Sequence, residues 1–565
     1  MKKFGRFRIA TVATLSATAL ALTACSGSGG GDSSNKAVGG LEIDVKPSGD
    51  YNEKERDEIK DGGELSLSLG ELTEQQNDFH ANMTTDTRTV WGWYNPQMAL
   101  YDGEGNYTPN PAYLDSVEES TEGDKTVVTY DINDDATFND GTPIDWTAFE
   151  NTWRFNNGKD SEVQVNSTDG YELIESVEKG ENDKEAVVTF GTPYPWWQGL
   201  FNNILHPAID TAEKFNEEYL GKLNPQYGAG PFKVDNVDFR GGTVSFVPNE
   251  KWWGDEPKLD KVSYRVMEDQ ATINAFQAGE IDVAGVGSKN NLTIAADMGD
   301  AIDVRAATRP ASVLFTLNSK APQLADKDVR HAVFSAIDRA QLAEIRYNGL
   351  GYEEELPGSL TLFPIQDGYQ DNLSEVLEYD VEEAKSLLEG AGYSEGDDGY
   401  YAKDGDKLSL RYVLIGDDEV SKSTATAVQK MLKDAGIELK IEERPSSDFS
   451  KIISERDFDL LLSGFGSSDP FGPAYFGQFY GSTSTLNKSG TGSEEFDKKI
   501  DEMQKLPTRD EQVKRVNELE SEAFAEYGML PYANGPQMVG LKKGIANMGA
   551  PGFAVVPKEN IGWEK

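Results

Sequence analysis

The stretch from residue 227 to residue 282 constrains the fold more than any other region of the chain. Its segments, in chain order, are a glycine-rich turn (228–231), a strand pattern (243–247), a second turn beside Trp252 and Trp253, another strand pattern (261–266) and a helix that ends at Gly279. The strand patterns alternate apolar and polar residues, which is the period of a strand with one buried face. Strands and helices also alternate in the remaining sequence, which predicts mixed α/β lobes.

The amino terminus predicts export and lipid attachment. Residues 1–24 combine a basic start with a short apolar segment, and Leu22-Thr23-Ala24-Cys25 follows as a lipobox-like sequence. We expect cleavage before Cys25 and lipidation of its sulfur and amine; an ordinary secretory signal is the alternative. Residues 26–35 are rich in glycine and serine and predict a flexible tether. No later apolar run reaches the roughly 18 residues that a spanning helix needs.

Charge and cysteine content exclude several classes of protein. The 565 residues carry a net charge of −45. Such an acidic surface repels nucleic acid and anionic lipid, so we expect neither as a partner. A single cysteine excludes internal disulfides and multi-cysteine metal sites. The sequence therefore predicts no cofactor and no metal centre.

Local signals place several helices and one buried strand. The residues predicted to cap helix N-termini are Asp145, Thr211, Asp380 and Thr508. The helix after Asp145 is expected to bury a stripe of Trp146, Phe149 and Trp153. Residues 457–462 form a largely apolar run, which is typical of a strand at the centre of a covered sheet.

Six sequence blocks in one order resemble family 5 of the bacterial solute-binding proteins, the receptors of peptide-type ABC importers. The blocks are Phe138-Asn139-Asp140-Gly141-Thr142-Pro143, 228–232, 249–257, Gly279-Glu280-Ile281-Asp282, 328–339 and 379–393. Two differ from the family pattern: Phe232 and Trp252 replace tyrosines, and one extra residue precedes Pro257. The resemblance runs from about residue 65 to residue 531.

The resemblance implies an α/β, periplasmic-binding-protein-like fold of the cluster C type, with two hinged lobes and an extra inserted domain. The expected divisions are a signal peptide (1–24), a lipidated cysteine with a flexible tether (25–60), a first segment of lobe I (61–100), extra domain II (101–225), a second segment of lobe I (226–312), lobe III (313–525) and a third segment of lobe I (526–565). Within this scheme the stretch 227–282 is the return of the chain into lobe I, and the lobes close over a ligand.

The same resemblance places the ligand after the apolar strand. Gly464 and Gly466 correspond to backbone contacts, Phe465 to a pocket wall, and Ser467, Ser468 and Asp469 to the end of the binding segment. The family aspartate that pairs with a peptide amine has no counterpart in register here, because this segment is two residues shorter. Asp469 is expected either to replace it or to stabilise a turn before Pro470. Thr84 and Thr85 correspond to cleft-lining residues of the first lobe.

We therefore expect a monomeric, lipid-anchored receptor on the extracytoplasmic face of the cell membrane, without enzymatic activity, that delivers oligopeptides to ABC importer permease subunits. An oligosaccharide or a metal chelate is the alternative ligand. A lipid-anchored glycoside hydrolase is the rival class, since two carboxylates suffice for that chemistry. No stretch singles out such a pair, and His80, His206 and His331 are far apart in sequence. The pairs Trp196-Trp197 and Trp252-Trp253 are expected to pack in cores.

Overall fold

A computed structural model describes residues 43–467 and 469–565. The signal peptide, Cys25 and the segment 26–35 lie outside the described residues. Residues 43–60 do not belong to a flexible tether, contrary to our expectation. The Lys46 backbone N–H donates to Ala306 O at 2.9 Å, and its carbonyl accepts from Thr308 N at 2.8 Å. Strand β1 (Ile59–Lys60) pairs with the last strand of the chain. Backbone hydrogen bonds hold this polar segment, and composition does not reveal them.

The first lobe begins with strand β2 (Glu64–Leu69) and helix α1 (Thr85–Tyr94). The predicted alternation of β2 is present, with Leu65, Leu67 and Leu69 buried. Thr84 caps α1 by accepting from Thr87 N at 3.3 Å. The helix carries the buried aromatic side chains Trp91, Trp93 and Tyr94.

An inserted domain, called domain II, follows. Its elements are β3 (Ala99–Tyr101), β4 (Tyr107–Pro109), β5 (Leu114–Glu122), β6 (Lys125–Ile132), α2 (Trp146–Asn156), β7 (Ile174–Lys179), β8 (Glu185–Phe190) and α3 (Ala212–Glu217). Four strands form an antiparallel sheet in the order β5-β6-β8-β7. Asp145 caps α2 by accepting from Thr147 N at 2.9 Å. In the expected stripe of α2, Phe149 is fully buried, while Trp146 and Trp153 are half-buried.

The chain then returns to lobe I. The elements are β9 (Phe232–Asp238), β10 (Thr243–Pro248), β11 (Lys261–Val266), α4 (Asp269–Gln277), β12 (Val283–Gly285), α5 (Lys289–Met298) and β13 (Ile302–Thr308). Its sheet has the order β2-β11-β10-β9, with β11 parallel to β2. Gly228 is required here, since a Cβ on it would lie 2.5 Å from Tyr94 O. The stretch 227–282 thus builds the lobe.

The remaining large unit, lobe III, is built on one mixed sheet. Its elements are β14 (Ala311–Leu317), α6 (Lys327–Ser335), α7 (Arg339–Tyr347), α8 (Val381–Gly390), β15 (Ser394–Glu395), β16 (Tyr401–Lys403), β17 (Asp406–Lys407), β18 (Ser409–Ile415), α9 (Glu419–Asp434), β19 (Glu438–Arg444), α10 (Phe449–Glu455), β20 (Leu460–Gly466), α11 (Phe476–Tyr480), α12 (Glu494–Gln504), α13 (Arg509–Phe524) and β21 (Met529–Ala533). The strand order is β19-β18-β20-β14-β21. The apolar run expected at 457–462 continues as a strand to Gly466.

Two chain crossings join lobe I to lobe III. The first, at 309–310, leads from β13 into β14. The second, at 534–535, leads from β21 to β22 (Pro536–Lys542), which pairs with β12 and β13 in lobe I. The boundary expected at residue 526 is therefore wrong, because β21 pairs with β14 of the lobe III sheet. The chain ends with β23 (Ile545–Ala546) and β24 (Gly562–Glu564).

Candidate ligand-binding cleft

The cleft lies between the carboxyl ends of parallel strands in the two lobes. In lobe I these are β2 and β11; in lobe III they are β18 and β19. Residues after these strand ends meet across the gap. The Ser446 N–H donates to Glu268 Oε1 at 2.9 Å, and the Ser450 hydroxyl donates to Glu71 Oε1 at 2.7 Å. Ligands of open α/β sheets bind at such strand ends.

A cavity of about 260 Å³ occupies a section of this cleft. Its walls are Gly70, Glu71, Thr84, Thr85 and Asp86 of lobe I and Ile415, Ser446 and Phe449 of lobe III. Thr84 and Thr85, the residues that the resemblance placed in the cleft, thus lie in its wall. They are there because the N-terminus of α1 points at the gap.

Carboxylates crowd the lobe I side of this contact. Burial raises the pKa of Glu71 to about 7, although a hydrogen bond from Ser450 opposes the shift. Asp269 is exposed at the surface, but desolvation by the protein atoms around it, followed by the charges of Asp418, Asp417 and Glu268, raises its pKa to about 6. Sequence reasoning missed these groups, because each is one of many acidic residues and only the fold brings them together.

Strand β20 has an unpaired edge near its carboxyl end, which lies on the same side of the sheet as the carboxyl end of β18 because the two strands are parallel. On one side, β20 pairs with β14 over its whole length, from Leu460 to Gly466. On the other side, it pairs with β18 only at Leu460 and Leu461. In the described regions of the chain, no strand pairs with the second edge from Leu462 to Gly466. Gly464 and Gly466 are exposed there. An unpaired edge that carries glycines leaves backbone donors and acceptors accessible to another extended chain.

Phe465 and Ser467, which were also predicted to bind the ligand, make contacts within the protein. Phe465 is half-buried, and its ring meets that of Phe479 edge-on with centroids 5.1 Å apart. The Ser467 N–H donates to Pro310 O at 2.8 Å, which ties the end of β20 to the first crossing. Ser468 lies outside the described residues.

Asp469 is 2% exposed and faces domain II. Its Oδ1 accepts from Phe471 N at 2.9 Å, and its Oδ2 accepts from the Tyr475 hydroxyl at 2.7 Å. These bonds match the turn-stabilising alternative that we considered for this residue. The carboxylate also lies near Arg88, and it contributes to the raised pKa of that guanidinium after the larger effect of Asp78.

Domain II closes the opposite side of the cleft against lobe III. The Trp196 indole N–H donates to Gln512 Oε1 at 2.7 Å, and the Arg509 guanidinium lies 4.8 Å from the Trp196 ring centroid. Trp196 and Trp197 are 5% and 6% exposed within the domain II core. Trp252 and Trp253 pack together against Tyr113.

Neither a metal centre nor a membrane span emerges from residues 43–467 and 469–565. Within these ranges, no cluster of three or more histidine, cysteine or acidic side chains is arranged to hold a metal ion. No helix there is long and apolar enough to cross a bilayer.

His206 contacts Asp140 at 3.3 Å, and burial lowers the pKa of His206. His331 stacks on Tyr527 with ring centroids 4.0 Å apart.

Known proteins resemble this chain in sequence and in structure. The profile of the bacterial extracellular solute-binding proteins, family 5 Middle, matches residues 108–487. The oligopeptide-binding protein OppA of Mycobacterium tuberculosis is 32% identical over 559 residues, covering 96% of this chain and 92% of that protein.

Two solved structures share the fold. AppA, the oligopeptide-binding protein of Bacillus subtilis solved with a nonapeptide, matches with a TM-score of 0.74 at 21% identity, covering 90% of this chain and 100% of that one. The periplasmic EDTA-binding protein EppA matches with a TM-score of 0.77 at 24% identity, covering 93% and 100%. These likenesses confirm the predicted α/β fold with two lobes.

Proposed function

Because the chain belongs to the bacterial extracellular solute-binding proteins of family 5, we propose that it is the lipid-anchored, monomeric receptor of an ABC importer for oligopeptides. It acts as a binding protein and not as an enzyme. Its ligand lies in the cleft between lobe I with domain II on one side and lobe III on the other. Permease subunits of the importer are its protein partners.

The open edge of β20 carries this proposal. An extended peptide added beside residues 462–466 pairs its own backbone groups with those that β18 leaves unpaired. Such strand addition draws affinity from the main chain and leaves the side chains of the peptide in tolerant pockets. Thr84 and Thr85, which line the cavity between the lobes, are the proposed contacts from lobe I. Oligopeptide binding by OppA and AppA supports the same ligand class.

Native mass spectrometry of the purified protein tests the ligand class. A distribution of co-purified peptides, displaced by a synthetic peptide in calorimetry, is the expected result. Replacing alternate peptide bonds of that peptide by esters removes backbone donors, and we expect each ester next to β20 to weaken binding by about 1 kcal/mol. Equal affinity of peptide and ester analogues contradicts strand addition.

A glycine substitution tests the location. In Gly466→Val the new Cβ has only Ala311 Cβ near it, at 4.0 Å, so the fold accommodates it. The branched side chain then stands on the sheet face next to the position of the added peptide strand and crowds its side chains, and we expect peptide affinity to fall at least tenfold. Gly285→Val is the matched control, since Gly285 is also exposed in a strand and no atom lies within 4 Å of its Cβ position. Equal losses in both variants contradict the assignment.

Asp469 is proposed as a ligand anchor with turn stabilisation as the competing role. If its carboxylate pairs with a peptide amine, Asp469→Asn weakens peptide binding by about 1.5–3 kcal/mol. If Asp469 only stabilises the turn, the same substitution lowers the melting temperature. The ratio of the affinities for a free and an N-acetylated peptide then stays as it is in the unaltered protein. Calorimetry with both peptides separates the two roles.

Lipid attachment at Cys25 is tested by fractionation. Cys25→Ser removes the acceptor thiol, so we expect the protein to move from the membrane fraction to the medium or periplasm. Retention of the variant in the membrane contradicts a lipid anchor.

A metal chelate is the second candidate ligand. The observation that favours it is the likeness to the EDTA-binding protein EppA over 93% of this chain. The native mass spectrum distinguishes the two: one defined mass that contains a metal, in place of a peptide distribution, supports the chelate.

A further inference from the structure

A pair of positive side chains stands at the end of the lobe III sheet that is opposite to the cleft. Strands β18, β19 and β20 are parallel, and their carboxyl ends point towards the cleft. Arg456 lies at the other end, in the turn between α10 and β20, and Lys488 lies in the segment between α11 and α12. Arg456 Nη2 donates to Asn487 O at 3.0 Å, which places the guanidinium beside the segment that carries Lys488.

The two positive groups act on one another and have no counter-ion. Within residues 43–467 and 469–565, no carboxylate lies within 4.0 Å of either group, although other cations of the lobe, such as Arg411, form ion pairs. Lys488 is half-buried, and burial, followed by the charge of Arg456, lowers its pKa to about 8. Like charges held together in a partly desolvated place are unfavourable, and an anion between them removes that cost.

The acidic residues nearby in the sequence are engaged elsewhere. Asp457 follows Arg456 directly, but its carboxylate contacts Arg411 Nη1 at 3.0 Å and Arg444 Nη1 at 3.5 Å. Asp459 Oδ2 accepts from Arg411 N at 2.8 Å. These contacts hold both carboxylates towards β18 and β19, so the pair of cations stays unneutralised.

The backbone at Arg456 is one that arginine seldom adopts. Its φ of 52° and ψ of 42°, at the end of α10, lie in the left-handed region. Glycine or asparagine occupies such a position with less strain. Asn318 Nδ2 donates to Arg456 O at 3.2 Å and to Phe458 O at 3.0 Å, which fixes the turn. A strained position that carries a guanidinium points to a use for that side chain.

The segment that carries Lys488 is braced by its own polar groups. Asn487 is 1% exposed; its Nδ2 donates to Thr491 O at 2.8 Å, and its Oδ1 accepts from Ser489 Oγ at 2.6 Å. Ser319 N donates to Ser489 O at 2.8 Å, which ties the segment to the end of β14. Because both cations stand on fixed backbone, an anion that binds them requires little reordering.

A guanidinium beside an ammonium suits a phosphate group. The guanidinium is a planar fork of N–H donors, and the ammonium adds a compact charge. Apart from its bond to Asn487, the Arg456 guanidinium makes no hydrogen bond to the described residues. A phosphate group carries about two negative charges near neutral pH, which the two cations match. The net charge of −45 opposes the approach of an extended anionic surface, which favours a small anion.

We propose that Arg456 and Lys488 form a binding site for a phosphate group at the end of lobe III opposite to the cleft. The site is separate from the ligand cleft and goes beyond the proposed function. The phosphate group comes either from free phosphate in solution or from the headgroup of a membrane lipid, and the test distinguishes these sources.

Acetylation of Lys488 reports on this site alone. Only the neutral amine reacts with acetic anhydride, so a bound phosphate, which keeps the ammonium protonated, slows the reaction. The full mature chain is treated near pH 8 in inorganic phosphate or in sodium chloride of equal ionic strength, and mass spectrometry of the digest measures each lysine. We expect phosphate to slow acetylation of Lys488 at least threefold. Lys433, an exposed lysine of α9, is the control within the same digest and should not respond.

Changes at Arg456 test its part in the site. Arg456→Asn keeps a residue that tolerates the left-handed turn but removes the guanidinium, so phosphate should no longer protect Lys488. Arg456→Lys should retain part of the protection, and Arg240→Met, which removes an exposed arginine of lobe I, should retain all of it. Melting temperatures show whether each variant is folded. Protection that persists unchanged in Arg456→Asn overturns the inference.

Vesicles separate the two sources of phosphate. The reaction is repeated without free phosphate, in the presence of vesicles of phosphatidylglycerol or of phosphatidylcholine. Protection of Lys488 by phosphatidylglycerol vesicles, lost in Arg456→Asn, identifies a lipid headgroup, whereas protection by free phosphate alone identifies a soluble ligand. Protection of the unaltered protein by neither probe overturns the inference and leaves the proposed function standing. Peptide affinity should be unchanged in Arg456→Asn, and a tenfold loss there contradicts a site separate from the cleft.

Discussion

Lobe III meets the rest of the molecule through two surfaces of different chemistry. The first, called the domain II contact, joins Trp196 to Gln512 and Arg509 and includes Phe471, which packs in the domain II core. The second, called the lobe I contact, joins Glu71 and Glu268 to the serines 446 and 450. One surface is aromatic and buried, and the other is narrow and acidic.

The difference in chemistry indicates that the two contacts have different roles. Burial of aromatic area and neutral hydrogen bonds give the domain II contact most of its stabilising free energy, and that contribution depends little on salt. At the lobe I contact, Asp269 faces Asp417 and Asp418, so protons and cations govern how well the two sides approach each other. We infer that the first contact sets the strength of closure and the second sets its response to conditions.

The largest expected effect comes from removing the aromatic anchor. Trp196→Ala deletes a side chain that is 5% exposed and its hydrogen bond to Gln512 at 2.7 Å. Truncating a buried tryptophan costs about 3–5 kcal/mol. We expect a loss of this size in the free energy of unfolding from urea titrations, together with a larger radius of gyration in solution scattering. Trp153→Ala, which changes a half-buried side chain of α2, should leave the radius of gyration unchanged; expansion in both variants contradicts a specific role for Trp196.

The second prediction concerns pH at the lobe I contact. The pKa of Glu71 is raised to about 7 and that of Asp269 to about 6 in this arrangement. Both pKa values lie above the ordinary ones. The two carboxyl groups therefore stabilise the closed arrangement fully below about pH 4, and this stabilisation is lost as the pH rises through 6 and 7. Ligand affinity and compactness should therefore be greater at pH 5 than at pH 8, with affinity changing about tenfold for each pKa unit of difference between open and closed forms.

Variants locate that dependence. The double variant Glu71→Gln, Asp269→Asn should flatten the pH profile of affinity, while Glu344→Gln, which changes an exposed glutamate on α7, should not. Asp169 of domain II accepts hydrogen bonds from Gln504 and Gln478 of lobe III, and burial raises its pKa to about 7. The pH profile of the double variant should therefore keep a smaller slope of the same sign. A profile that stays steep in the double variant contradicts the assignment to the lobe I contact.

A smaller effect is expected from a single hydrogen bond of the domain II contact. Gln512→Ala removes the acceptor of the Trp196 indole and two bonds from its amide to Gln504 O and Leu506 O. Because the tryptophan ring stays packed, we expect a loss of about 1–3 kcal/mol in the free energy of unfolding, less than that of Trp196→Ala. Urea titration of the single and double variants measures it; strict additivity would contradict direct coupling between the two residues.

The smallest effect is expected far from both contacts. Lys430 and Asp434 form an ion pair one turn apart on α9, with side chains 77% and 56% exposed. Solvent and salt screen such a pair, so Lys430→Ala should leave the melting temperature and the ligand affinity unchanged within error. A clear change in either would mean that charge acts on closure from a distance.

Local features were predictable from sequence, and pairings between distant segments were not. The caps Asp145, Thr211, Asp380 and Thr508 all accept backbone hydrogen bonds at helix starts, because a cap depends only on the next few residues. The placement of β21 in the lobe III sheet was missed, because its partner β14 lies far away along the chain. The packing of residues 43–60 on lobe I was missed for the same reason.

The candidate site shows the same limit. A family resemblance directed attention to Gly464, Gly466, Thr84 and Thr85. Thr84 and Thr85 line the cavity between the lobes, Gly464 and Gly466 lie on the unpaired edge of β20, and their role in ligand binding stays a prediction. The acidic groups Glu71 and Asp269 had no sequence signal. Their importance comes from burial and from neighbours that lie far along the chain, which one sequence does not display.

The packing of the N-terminal segment has a mechanical consequence. Described structure begins at Ile43, and Lys46 is hydrogen-bonded to Ala306 and Thr308, only a few residues before the crossing at 309–310. A force applied through the preceding residues therefore acts close to the pivot of any lobe rotation, with a short lever arm. If the proposed lipid attachment pulls on the chain through these residues, it therefore exerts little torque on either lobe.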